Sequence, residues 1–131
     1  MLQLRLPWLW LGVGWLVVAG VCAGSLLPGS SMPSYIVLLG TAIGNEVLHG
    51  GAYFILMVWF AGFCERRRYG LVAVLLVALG VVLDVLQIGV PSRSFDLLDI
   101  ASNAVGILVG LGTALWLLGG WCQRIERRLL A

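Results

Sequence analysis

The stretch ERRRYGLVAVLLVALGVVLDVLQIGVP, residues 65–91, decides how the chain is read. Three arginines, Arg66 to Arg68, stand before about twenty residues that are apolar except near their far end. There Asp84 and Gln87 appear, and Gly89 and Pro91 stop the run. A helix of that length crosses ~30 Å of hydrocarbon, with cations at one mouth and an acid at the other.

Three further runs repeat this length. The first is expected from about Trp8 to Leu27, closed by Pro28 and Gly29. The second is expected over Glu46 to Cys64, the third over Tyr69 to Ile88, and the fourth over Leu97 to Trp121. Ser34 to Gly44, between the first two, is too short to span and reads as a re-entrant or interfacial helix. The expectation is an all-α, polytopic membrane helix bundle of four transmembrane helices plus that short one, in a single domain over 1–131. Composition agrees. Hydrophobic residues make up 61% of the 131 and charged residues only 11%, so a water-facing surface cannot be built from them. Arg5, an apolar run and Val21-Cys22-Ala23 loosely resemble a cleaved signal peptide, but the run is long for one. The three cysteines, Cys22, Cys64 and Cys122, are scattered and suggest neither a disulfide framework nor a zinc site. No cofactor or metal is expected.

The charges sort into two sets. Seven of the eight basic residues, all arginine, fall at Arg5, at Arg66 to Arg68, and at Arg124, Arg127 and Arg128. With four spans these clusters share one side, and the positive-inside rule makes it the cytoplasm, with both termini. The arginines therefore read as topology signals in a cell membrane, not as a nucleic-acid surface. Glu46, His49, Asp84, Gln87, Arg93, Asp96, Asp99 and Asn103 gather at the opposite, outward mouth.

Helical spacing places Glu46, His49 and Tyr53 on one face, and Gly80, Asp84 and Gln87 on another. Asp99, Asn103, Gly106 and Gly110 form one stripe, with Ser102 extending its small-residue part. Glycines four apart admit a neighbouring helix, so a homo-oligomer through Gly106 and Gly110 is one expectation. A carboxylate inside hydrocarbon costs about 2.5–3.5 kcal/mol on insertion scales, so Asp84 and Asp99 should face the bundle interior and pair, with Arg93 as the obvious partner. The bland alternatives are a structural salt bridge for that pair, a headgroup position for Asp96 and Glu46, and a packing histidine at His49. Trp8, Trp10, Trp59, Trp116 and Trp121 lie toward span ends, where an aromatic belt is expected.

Three segments carry a family resemblance. Asn45-Glu46-Val47-Leu48-His49 with Tyr53, then Asp84-Val85-Leu86-Gln87, then Pro91 to Gly106 with Gly110 resemble, in order and spacing, the motif elements of the VanZ-like family. They cover about residues 40 to 110, and the third element is the most specific. Asn45 and Glu46 stand where that family usually has Asp-Lys, and Asp84 where it usually has Glu. With the lysine gone, Arg93 holds an anion alone or the ligand differs. The resemblance implies a small bacterial integral membrane protein linked to the cell envelope, in a family named for teicoplanin resistance. It supplies no reaction.

Two classes of function follow. In the first, an outward pocket acts on or senses an envelope lipid or other anionic amphiphile. His49, Asp84, Arg93 and Asp99 are then the candidate catalytic residues, and Glu46, Tyr53, Gln87, Asp96 and Asn103 line the substrate. In the second, the chain is a small homo-oligomeric transporter or channel, or a non-catalytic assembly partner. Whether it is an enzyme is left open.

Overall fold

The computed structural model describes residues 2–91 and 96–130, and every regular element among them is helical. Helix α1 (Pro7–Leu26) opens on a proline, which suits a first turn because it has no N–H to leave unpaired. After Pro28 a short 3-10 turn (Gly29–Ser31) leads to α2 (Ser34–Ile43). Gly44, at φ 90°, ends α2 and starts α3 (Asn45–Phe63). The Arg66–Arg68 turn leads into α4 (Tyr69–Gln87). Helix α5 (Leu97–Thr113) is capped by Asp96, whose carboxylate accepts from the Leu98 N–H at 2.8 Å. It runs on through a π-helical turn (Ala114–Leu118), and α6 (Trp121–Leu129) follows.

Four helices are long and apolar enough to cross a membrane: Pro7–Leu26, Asn45–Phe63, Arg66–Gln87 and Leu97–Leu118. They fit a multi-pass membrane protein. At ten residues α2 is about 15 Å long and too short to span. The fourth span ends at Leu118, three residues before the expected Trp121. Two glycines turn the chain there. A Cβ on Gly119 would lie 2.6 Å from the Ala114 carbonyl oxygen and 2.7 Å from the Tyr69 hydroxyl, and Gly120 adopts φ 68°. Arg124, Arg127 and Arg128 therefore ride on a separate amphipathic helix, which the sequence reading missed.

The bundle is built on the pairing of α3 with α5. A Cβ on Gly106 would lie 2.0 Å from the Gly50 carbonyl oxygen, and one on Gly110 would lie 2.9 Å from Met57 Cβ. The small-residue stripe of α5 is thus consumed inside the subunit. This corrects the expectation of a homo-oligomer through Gly106 and Gly110, because both are buried against α3. Tyr53, Leu56, Met57 and Ala61 of α3, Leu76 of α4 and Ile107 of α5 form the apolar core.

The tryptophans also divide. Trp8 and Trp116 are exposed, as a belt requires. Trp10, Trp59 and Trp121 instead pack on one another, with ring centroids 5.2–5.9 Å apart. Aromatic edge-to-face attraction and two indole hydrogen bonds favour the cluster over lipid contact: Trp59 donates to the Trp10 carbonyl and Trp121 to the Val58 carbonyl. Gly62 makes room for α6, since a Cβ there would collide with Trp121 and Cys122. Burial pushes the Cys122 thiol up to about 12, which keeps it protonated and inert.

Beside this cluster α6 turns back on α1. The Glu126 carboxylate accepts from the Arg5 N–H at 2.6 Å, the Leu6 N–H at 2.9 Å and the Trp10 indole at 2.8 Å. It caps, from the far end of the chain, a helix whose own preceding residue, Leu6, offers no capping side chain. Burial works against its charge. The hydrogen bonds from Arg5, Trp10 and Leu6, with the Arg5 charge, outweigh that and hold the carboxyl below the usual glutamate range.

Two outcomes follow. Gly106→Ala should cost about 1–3 kcal/mol or more by forcing α3 and α5 apart, whereas Gly112→Ala, which meets nothing within 4 Å, should leave the melting temperature equal to or above the wild type's, since alanine is the better helix former. Glu126 binds fewer protons folded than unfolded, so its contribution is complete above about pH 4.3, the ordinary glutamate value, and fades as pH falls through the lower folded value. Glu126→Gln should lower the melting temperature at pH 7 and narrow its difference from the wild type on acidification, followed by tryptophan fluorescence.

Candidate functional site

At the end of the bundle away from the arginine clusters, α3, α4 and α5 each contribute a buried polar side chain. Tyr53 is 1% exposed, Asp84 3%, Gln87 2% and Asn103 4%. The periodicities behind them are those of the sequence: four and three residues along Gly80, Asp84 and Gln87, and four and three along Asp99, Asn103 and Gly106. Asn103 Nδ2 donates to Asp84 Oδ2 at 3.4 Å, a long bond that joins α5 to α4. Gly80 lets the aromatic ring in, since a Cβ there would sit 3.3 Å from both the Tyr53 hydroxyl and Asn103 Nδ2. Among the described residues the Tyr53 hydroxyl and Asn103 Oδ1 have no hydrogen-bond partner. A buried polar atom left this way costs about 1–3 kcal/mol unless something satisfies it.

Above this layer His49 Nε2 lies 3.9 Å from Asp99 Oδ2. That is ion-pair distance when the imidazole is protonated, and both side chains stay partly accessible. The pair exists because Gly50, next to His49, is in contact with Ser102 of α5; a Cβ there would lie 3.0 Å from the Ser102 carbonyl oxygen. Asp84 is within electrostatic reach of both His49 and Asp99.

The candidates therefore separate. His49, Asp99, Tyr53, Asp84 and Asn103 converge. Gln87 is buried beside them but is committed to α1, donating to the Ser25 carbonyl at 2.9 Å. Asp96 is exposed and serves as the α5 cap. Glu46 is exposed in the first turn of α3, two turns before the buried Tyr53 with which its spacing groups it. Arg93, and its expected pairing with Asp84 or Asp99, lies outside the described residues.

The sequence reading missed the cavity. A cleft of about 720 Å³ opens between α1, α2 and α3, and His49, Tyr53 and Asn45 line one wall. Its other walls are mostly apolar, from Val17 and Val21 of α1 and Ile36 of α2. Gly20 and Gly24 hollow it out. A Cβ at either meets nothing within 4 Å, so these glycines create space and do not admit a helix. Their four-residue spacing on α1 was the available signal, but it resembles a packing motif. No cluster of three metal-ligating side chains occurs among the described residues. Chemically, the arrangement offers a mostly apolar cleft with an imidazole on one wall, a carboxylate 3.9 Å from that imidazole, and a buried phenol without a described partner.

The chain matches no family model, no curated protein and no solved structure.

Tyr53→Phe removes a hydroxyl that has no partner. It should leave the melting temperature equal to or above the wild type's, by up to about 1–3 kcal/mol of relieved desolvation. A clear loss of stability in detergent would show that the hydroxyl is bonded in the resting protein.

Proposed function

We propose that this is a VanZ-like protein of the bacterial cell membrane, with both termini cytoplasmic and the cleft facing outward, that binds and acts on a cell-envelope amphiphile. The observation that carries the reading is the 720 Å³ cleft, apolar along α1 and α2 and polar where α3 brings His49 and Tyr53 to it. An amphiphile's apolar part fits along Val17, Val21 and Ile36. Its anionic or hydroxyl-bearing part meets His49, on the wall that Asn45 and Tyr53 share. Asp99 orients His49, and Asp84 holds Asn103 beneath it. In this reading His49 exchanges a proton with the bound group or donates a hydrogen bond to it. The motif resemblance adds Arg93 as an anion contact and links the chain to glycopeptide resistance.

The orientation rests on the arginine clusters, which the positive-inside rule keeps on the cytoplasmic side. A conduction path is less favoured. Polar groups gather toward one end, and Glu126, the buried acid at the other, is taken up by the cap of α1.

The test fills the cleft without disturbing the bundle. Gly24→Phe and His49→Ala should fold with a near wild-type melting temperature. Neither should restore the envelope lipid or cell-wall precursor species that changes when the gene is deleted. Restoration by both variants to the wild-type level would end the proposal. Flux through proteoliposomes that is lost in Asp84→Asn would support a transporter instead.

A further inference from the structure

A second cavity, of about 350 Å³, opens at the arginine-bearing end, between α6, the π-helical turn of α5 and the turn before α4. Arg66 and Arg124 both line it, and both are exposed. Arg124 Nη2 donates to the Leu117 carbonyl at 3.1 Å, which fixes its guanidinium at the rim and leaves its remaining N–H groups free to donate. No described carboxylate answers either arginine. Glu65 is paired with Arg67, whose Nε lies 2.5 Å from it, and Glu126 is occupied by the amides of Arg5 and Leu6.

The rest of the lining is mixed, with Gln123 and Tyr69 beside an apolar strip. Leu115, Trp116 and Leu117 line the cavity, and Trp116 and Leu117 also stand exposed on the outside of the span, 87% and 71%. The strip therefore continues from the cavity onto the surface that faces hydrocarbon. The π-helical turn produces this by widening the helix over Ala114–Leu118, braced by Tyr69 against Gly119.

We infer that Arg66 and Arg124 form a binding site for the phosphodiester headgroup of an anionic phospholipid, whose acyl chain lies along Trp116 and Leu117. Two unpaired guanidinium groups suit a phosphate better than a neutral headgroup. The apolar strip of Leu115, Trp116 and Leu117, which runs out onto the exposed face of the span, favours a lipid over a free anion, and a tryptophan at that depth suits the interface. The site is at the opposite end of the bundle from the cleft and does not rest on the reading of the cleft.

The test is native mass spectrometry of the full chain in detergent, titrated with phosphatidylglycerol, phosphatidylcholine or inorganic phosphate. Phosphatidylglycerol should bind saturably and more tightly than either of the others. Affinity should fall about fivefold for Arg66→Gln or Arg124→Gln and about thirtyfold for both together. The double variant Arg66→Lys with Arg124→Lys should recover most of the affinity, which a folding defect would not allow. Arg127→Gln with Arg128→Gln, outside the cavity, should bind as the wild type does. The proposal is overturned if the double glutamine variant keeps wild-type affinity or the lysine pair fails to recover it. It is overturned equally if the Arg127 and Arg128 changes weaken binding as much, or if inorganic phosphate binds as tightly as the lipid.

Discussion

The backbone contact between α3 and α5 is the constraint on which the other arrangements depend. Gly50 and Gly106 let two helices meet main chain to main chain, closer than any side chain would allow. The converging polar side chains His49, Tyr53 and Asn103 lie within one turn of this meeting point, while Gln87 bonds α1 and Asp96 caps α5 elsewhere. His49 precedes Gly50 and reaches Asp99; Asn103 follows Ser102 and reaches Asp84; Tyr53 lies one turn along α3, beneath both. Separating the helices by a methyl group would lengthen the His49–Asp99 distance directly. The buried polar layer is therefore a by-product of tight packing, while the cleft beside it is walled by α1, α2 and α3.

Length and hydropathy made the fold legible, because a bilayer demands about twenty apolar residues per crossing and leaves few alternatives. The helix ends fell within a few residues of their expected places, and Pro28, Pro33, Gly44 and Gly89 punctuated them. The buried polar layer was legible for the same reason. Asp84, in apolar surroundings, was expected to face inward and does, against Asn103; Asp99, read the same way, stays partly accessible beside His49. Glu46 and Asp96 misled because spacing reports a face but not depth. At a helix's first turn an acid is equally at home as a cap or in solvent, and both took those roles.

Cavities were not legible, since an absence of side chains leaves a weak trace. Gly20 with Gly24 and Gly106 with Gly110 have the same spacing and opposite meanings. One pair opens a cleft and the other closes a contact. Only the partner helix tells them apart. The same limit applied to Trp10, Trp59 and Trp121, whose placement near span ends suited a lipid-facing belt as well as the cluster they form.

The Glu126 cap has a consequence for the order in which the protein is made. Its partner amide at Arg5 is separated from it by 121 residues, so the Arg5 and Leu6 N–H groups just ahead of α1 wait for their acceptor until α6 is made. Water must hold them through the synthesis of every later span. Only when α6 emerges and folds back do the two ends of the chain close on each other. The segment leading into the first helix is thus fixed last, although the helix itself is held by α3 at Trp10 and by α4 at Ser25.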